Sequence, residues 1–135
     1  MVQWFEERLY DDFSALYRVG QVVYQDKSEH QDLVIFDHDR FGRILALDSI
    51  VQLTTSDEFI YHEMMSHLPI IAHGAAKRVL IIGGGDGGVL RHCLMHPGVE
   101  QVTQVEIDQS VIDLCVEYLP MISQGAFDNP RAKVV

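Results

Sequence analysis

The chain is poor in the residues that cross-link a protein, anchor it in a membrane or bind polyanions. It has two cysteines in 135 residues, Cys93 and Cys115, and no C-x-x-C. That leaves no disulfide framework and no thiolate metal site, and both thiols fall on apolar faces of expected helices, as reduced buried cysteines do. No apolar run reaches membrane-spanning length. The N-terminal Met-Val-Gln-Trp-Phe-Glu-Glu is acidic and lacks the apolar core of a secretion signal, so the expected location is the cytoplasm. Basic residues are scarce: ten Lys and Arg stand against twenty Asp and Glu, a formal charge of −10. No basic patch remains to neutralise phosphates, which excludes a nucleic-acid binder. The acidity suits cationic ligands such as polyamines, although it serves solubility equally well. Repeats and low-complexity segments are absent. Seven histidines are present, but none has metal-ligand spacing. His62-Glu63 and His67 are i, i+5 rather than the i, i+4 of H-E-x-x-H, so no metal is expected.

What the chain does have is Leu80-Ile81-Ile82-Gly83-Gly84-Gly85-Asp86-Gly87-Gly88. An apolar strand runs into a glycine-rich turn. Gly83, Gly85 and Gly88 satisfy G-x-G-x-x-G, the spacing of a nucleotide-binding turn. A helical pattern follows from Val89. Glu106 ends the next apolar run, about 20 residues on, where an acid binds ribose hydroxyls. Asp86 separates two readings of the turn. A dinucleotide site holds a pyrophosphate on bare backbone N–H groups, and a carboxylate there would repel it. A ligand with a ribose, no phosphate and a positive charge fits better, as in S-adenosylmethionine or its decarboxylated form. Helix capping is the alternative role for Asp86.

The length suits one domain, or a small domain plus part of another. The first 55 residues read mostly as β structure: Tyr17 to Tyr24, Asp32 to Phe36, Arg43 to Leu47 and Ile50 to Leu53. Turns are expected at Asp37-His38-Asp39-Arg40 and at Asp48-Ser49. Strands so closely spaced form an antiparallel meander. Residues 4 to 16 fit helix or strand. The pattern then changes. Thr55-Ser56-Asp57-Glu58 has the form of a capping box, with Thr55 as N-cap and Glu58 returning to it. A helix is expected from Ser56 to about His67, with Pro69 and Gly74 ending the region. Strand, helix, strand and helix then follow at Lys77–Ile82, Val89–Met95, Gln101–Glu106 and Ser110–Tyr118, stopped by Pro120. A polar stretch leads to Ala132–Val135, the start of a third strand. Such sheets are buried on both faces, so the chain reads as cut short. The expected organisation is therefore α/β. A small N-terminal antiparallel β domain, 1–54, precedes the first part of a Rossmann domain, 55–135, which binds a nucleoside.

The helix Asp57-Glu58-Phe59-Ile60-Tyr61-His62-Glu63-Met64-Met65-Ser66-His67 is dense in ionisable groups. Glu58 and His62 are i, i+4 and share a face. Such a helix either lines a site for a cationic amine or presents a solvated face with ordinary pairs. His92 and His96, also i, i+4, fall at a helix end, where histidine favours the dipole. Gln31 and Gln52 sit at strand ends, as surface amides or as donors to a ligand.

Six segments stand in order along the chain: His30-Gln31-Asp32-Leu33-Val34-Ile35-Phe36, Leu47-Asp48-Ser49-Ile50-Val51-Gln52, Asp57-Glu58-Phe59-Ile60-Tyr61-His62-Glu63-Met64, Gly83-Gly84-Gly85-Asp86-Gly87-Gly88, Val105-Glu106-Ile107-Asp108 and Asp128-Asn129-Pro130-Arg131. Together they resemble the polyamine aminopropyltransferases, the spermidine synthases in particular. The resemblance implies a β domain followed by a methyltransferase-like Rossmann domain, and an oligomer, dimer or tetramer, formed through the β domain. It also implies transfer of an aminopropyl group from decarboxylated S-adenosylmethionine to putrescine, giving spermidine and methylthioadenosine, with no cofactor. By motif match Gln31 and Glu106 would bind the donor, Asp86 its propylamine cation, and His62, Tyr61, Gln52 and Asp86 the amine. The attacking ammonium must lose a proton, which calls for a general base. The family's base lies in an Asp-x-x-Asp-Pro pattern beyond the third strand, and this sequence has no such pattern. The chain thus resembles an N-terminal half and is expected to be inactive alone. A class I methyltransferase fragment and a non-catalytic oligomerising remnant are the rival readings.

Overall fold

The computed structural model describes residues 2–135. One unit runs to Asp57, and in it every element is a strand. β1 (Gln3–Tyr10) and β2 (Phe13–Val19) form an antiparallel hairpin. β3 (Gln21–Lys27), β4 (Asp32–His38), β5 (Gly42–Leu47) and β6 (Ile50–Thr54) form a second antiparallel sheet in chain order. The ambiguous segment 4–16 is therefore two strands joined by a turn at Asp11-Asp12. The single run expected from Tyr17 to Tyr24 is broken at Gly20, where the chain leaves one sheet for the other. The Gly20 N–H donates to the Asp37 carbonyl at 2.8 Å, and a Cβ at Gly20 would lie 3.0 Å from that oxygen. The turn expected at 37–40 begins later. Asp37 and His38 still pair with Arg43 and Gly42, and the Arg43 guanidinium holds Asp37 across the ladder at 2.8 Å. At the next hairpin Asp48 and Ser49 have φ of 48° and 65°, the left-handed pair that a two-residue hairpin requires.

Leu33, Ile35, Phe36, Ile44, Leu45, Ala46 and Leu53 are buried in this unit, and Phe5 of β1 packs its ring on Phe36 at 4.9 Å. One carboxylate is buried with them. Glu7 accepts from the Val51 N–H at 2.9 Å and from the Tyr17 hydroxyl at 3.0 Å, joining the hairpin to the edge strand β6. Burial, followed by the hydrogen bond to Glu7 and the charges of Glu7 and Asp57, raises the Tyr17 pKa.

The capping box does not form. The Thr55 hydroxyl accepts from the Arg43 N–H at 3.0 Å, and Glu58 turns to a histidine instead of back to Thr55. Thr54 bonds the Asp57 carboxylate at 2.7 Å.

The second unit spans Glu58–Val135. Its elements are α1 (Glu58–His73), β7 (Arg78–Ile82), α2 (Gly88–Leu94), β8 (Gln101–Val105), α3 (Gln109–Tyr118), α4 (Pro120–Ser123), a 3-10 turn (Ala126–Asp128) and β9 (Ala132–Val134). β7, β8 and β9 are parallel and adjacent in that order, so this half is Rossmann-like. Helix α1 passes through Pro69 and ends at Gly74, whose φ of +76° and N–H bond to the Ile70 carbonyl form a glycine stop. The expected end near His67 was thus one and a half turns early. Pro120, likewise, opens α4 at the position that suits a missing N–H.

The core joins Ile81 and Val102 of the sheet to Leu90, Cys93 and Leu94 of α2, with Val99 and Ala126. The opposite face of β7 is uncovered, with Leu80 63% and Ile82 84% exposed. Among the described residues no helix is long and apolar enough to cross a membrane.

Replacing Glu7 by Ala removes the partner of a strand-edge N–H and of a half-buried phenol. The expected cost is about 2 kcal/mol of stability in urea unfolding, from leaving those groups without partners. The Tyr17 titration should return toward 10.0 in the same variant.

Candidate functional site

Backbone hydrogen bonds fix the glycine turn to its sheet. The Gly83 N–H donates to the Val105 carbonyl at 2.7 Å. The Gly84 carbonyl accepts from the Gly87 N–H at 2.9 Å and from Gln104 Nε2 at 2.8 Å. Gln104 is fully buried on β8, so a core amide holds the turn from beneath. Gly87, with φ of +77°, leads into α2.

Two glycines are close approaches. A Cβ at Gly85 would come 2.8 Å from Val111 Cγ1 and 3.1 Å from Glu106 Oε2. Glu106 thus sits directly beside the turn, its Oε1 accepting from the Asp108 N–H at 3.1 Å. A Cβ at Gly88 would fall on the His62 ring.

That ring is the centre of the site. His62 is 2% exposed. Its Nε2 meets Asp86 Oδ1 at 3.1 Å and its Nδ1 bonds the Glu58 carboxylate. The second Glu58 oxygen lies 3.6 Å from the Arg91 guanidinium. Asp86 Oδ1 also accepts from the Gly88 N–H at 2.6 Å, so the carboxylate does cap the start of α2. Both contacts use one oxygen, and Oδ2 has no partner among the described residues. Burial opposes a charge on His62. The hydrogen bonds and charges of Asp86, and then of Glu58, outweigh it and raise the pKa above 6.5.

Glu58, His62 and Ser66 of α1 therefore do not form a solvated face, whereas Glu63 does lie in solvent. Glu58, His62 and Ser66 face α2, with the Ser66 hydroxyl bonded to the His62 carbonyl at 2.6 Å. Phe59, Ile60, Tyr61, Met64, Met65, Leu68 and Ile71 are exposed, as is Glu63. The Tyr61 ring stands edge-on to His62 at 5.7 Å.

Of the six residues singled out in the sequence, the structure joins His62 to Asp86, sets Tyr61 beside His62, and puts Glu106 at the same glycine turn. Gln31 and Gln52 belong to the first unit. Gln31 closes the turn before β4, its carbonyl accepting from the Ser28 N–H at 2.9 Å and its N–H donating to the Ser28 hydroxyl at 3.1 Å, and Gln52 is exposed on β6 with its amide on the Ile50 carbonyl at 3.1 Å. Sequence reasoning missed Arg91, His92 and Ser66. The i, i+4 pair of His92 and His96 was the available sign of a built cluster, but it reads as dipole stabilisation until α1 is laid against α2.

Residues 58–135 match the spermine/spermidine synthase domain, and residues 3–55 match the spermidine synthase tetramerisation domain. The chain belongs to the spermine/spermidine synthase family. It is 58% identical over 132 residues to the polyamine aminopropyltransferase of Ruegeria sp. (strain TM1040), covering 98% of this chain and 46% of that protein. The polyamine aminopropyltransferase 1 of Pseudomonas aeruginosa is 53% identical over 131 residues, covering 97% of this chain and 46% of the relative. Among solved structures, spermidine synthase from Thermotoga maritima superposes with a TM-score of 0.94 at 41% identity, covering 98% of this chain and 47% of that one. A spermidine synthase in complex with the transition-state analogue AdoDATO superposes equally well, also at 41% identity and with 46% of its length covered. The chain spans about half the length of the relatives it matches.

Two outcomes follow from the buried ring. Gly88→Ala should destabilise the protein by about 1–3 kcal/mol in thermal unfolding, because the added methyl group displaces His62. His62 also links stability to pH. Its native pKa is raised, so the folded state binds the extra proton. The stability it adds is complete below about 6.5 and is lost as pH rises through the native value. The difference between the wild type and His62→Gln in urea midpoints should therefore shrink from pH 6 to pH 9. A gap that widened would reverse the assignment.

Proposed function

We propose that this chain supplies the donor turn and the amine-binding end of an aminopropyltransferase. The reaction moves the aminopropyl group of decarboxylated S-adenosylmethionine to putrescine, giving spermidine and methylthioadenosine. The observation that carries this reading is the placing of Asp86. At a helix start that would otherwise offer an N–H to phosphate, the Asp86 carboxylate takes the Gly88 N–H itself. The turn is thereby closed to a pyrophosphate and open, through Oδ2, to a cation.

In this reading Glu106 accepts from the ribose hydroxyls and Gln31 contacts the nucleoside. Asp86 holds the ammonium of the donor's propyl arm. His62, Tyr61 and Gln52 line the amine end with Asp86. The amine nitrogen forms a bond to the carbon next to the sulfonium. The C–S bond breaks with its electron pair going to sulfur, and the nitrogen's proton passes to a base. Carboxylates beside the two cations orient the attack. Because the 135 residues contain no Asp-x-x-Asp-Pro segment, the proposal includes that they bind substrates without turning them over. The tetramerisation-domain match on residues 3–55 and the synthase-domain match on residues 58–135 support a working division into an oligomerising β domain, 1–54, and a second part, 55–135; nucleoside binding by that part and a cytoplasmic location belong to the same proposal.

Titration calorimetry and product chromatography test this. Decarboxylated S-adenosylmethionine should bind more tightly than S-adenosylmethionine. Asp86→Asn should weaken putrescine binding about tenfold, or about 1.4 kcal/mol. Incubation with both substrates should yield no methylthioadenosine. Tighter binding of S-adenosylmethionine would favour methyl transfer, and product formation would overturn the inactivity.

A further inference from the structure

Behind the His62–Asp86 pair, α1 and α2 share a row of side chains to which the proposed reaction assigns no part. The Arg91 guanidinium lies 2.9 Å from His92 Nε2. His92 Nδ1 lies 3.2 Å from His67 Nε2, and His67 Nδ1 lies 2.8 Å from His96 Nε2. The His96 carbonyl is in turn held by Arg131 at 3.2 Å.

The direction of this row follows from one fact. Arginine only donates. His92 Nε2 must therefore accept, so its proton sits on Nδ1 and is donated to His67. His67 then carries its proton on Nδ1 and donates to His96, which accepts at Nε2. All three rings are neutral Nδ1–H tautomers. A second proton on any of them turns an acceptor into a donor and breaks a bond. Around the row, α1 contributes His62, Glu58, Glu63 and His67, α2 contributes Arg91 and His92, and the segment after α2 contributes His96. Burial, followed by the positive charge of Arg91 and the presence of His67, lowers the His92 pKa, whereas Glu58 and Glu63 oppose that. The ring is thus neutral at ordinary pH, as the geometry demands.

The same guanidinium faces Glu58, the Nδ1 partner of His62. Arg91 stands between a charged group of Glu58, His62 and Asp86 and a neutral row of three histidines. We infer that Arg91 is a positioning residue for His62 and Asp86, acting through Glu58, and that the row His92–His67–His96 fixes where its guanidinium sits. The inference deepens the aminopropyltransferase reading, since the ring so positioned is the one assigned to the amine end.

Nitrogen-15 NMR of the full 135-residue chain tests it without any ligand. At pH 8 His92, His67 and His96 should each show the Nδ1–H tautomer. The Nε2–H proton of His62, bonded to Asp86, should give a downfield resonance slow to exchange with solvent. Arg91→Met should lose the single tautomer at His92 and the slow His62 proton, and Arg91→Lys should restore the latter in part. A tautomer mixture in the wild type overturns the row. A slow His62 proton that survives in Arg91→Met overturns the positioning. Should the variant not fold, acid titration of the wild type decides. Loss of the His92 Nδ1–H tautomer should bring exchange of the His62 proton in that same step, although His62 itself stays protonated. Its persistence would sink the coupling. Addition of putrescine then separates the two claims: a His62 resonance that ignores putrescine in a chain with an intact row counts against the amine site and leaves the positioning standing.

Discussion

A histidine between two carboxylates, lying in the gap left by Gly88, is the contact on which the second unit depends. It ties the first turn of α1 to the glycine turn and to the start of α2 at once. Burying two carboxylates and an imidazole is costly unless every charge is matched. Here Asp86 and Glu58 face His62 and Arg91, and the Gly88 N–H takes a further share of Asp86. Gly88 has no side chain because a ring occupies its place.

This packing explains why α1 is inside out. A helix normally turns its apolar stripe to the core. In α1 the buried positions are His62 and Ser66, and of its large apolar residues only Ile70 packs on the core while the others stay exposed. The cost is met by hydrogen bonds: Ser66 to the His62 carbonyl, Glu58 to the ring, and the histidine row toward His96. The exposed aliphatic residues on α1 and on β7 leave large apolar surface uncovered in a chain that spans about half the length of its relatives.

The glycine turn shows how charge changes the use of a common device. The backbone geometry that elsewhere grips phosphate is present, with positive φ at Gly83, Gly84 and Gly87. Asp86 occupies the N–H at the helix start and brings negative charge with it. Gln104 beneath and Glu106 beside the turn hold its shape and keep its surroundings acidic. A site of that sign favours cations over anions.

Local pattern determined much of this protein. Alternating apolar residues and the Asp48-Ser49 turn defined the meander, and the glycine spacing defined the strand–turn–helix, because both are rules of backbone geometry over a few residues. The Glu58–His62 pair was visible as an i, i+4 spacing. Other features were settled only by packing. Thr55 spent its hydroxyl on Arg43, so the capping box written in the sequence never closed. Pro69 stayed within α1, and Gly20 split a run that reads as one strand because the Asp37 carbonyl lies against it. Whether Asp86 caps a helix or faces a charge had no local answer, and in the fold one oxygen caps while the other stays open. His92 and His96 share an i, i+4 spacing, but His67 lies twenty-five residues before His92, and the three became a row only when α1 lay across α2. Spacing along the chain fixes which side chains share an element's face, whereas the partner opposite that face is set by contacts between residues distant in sequence.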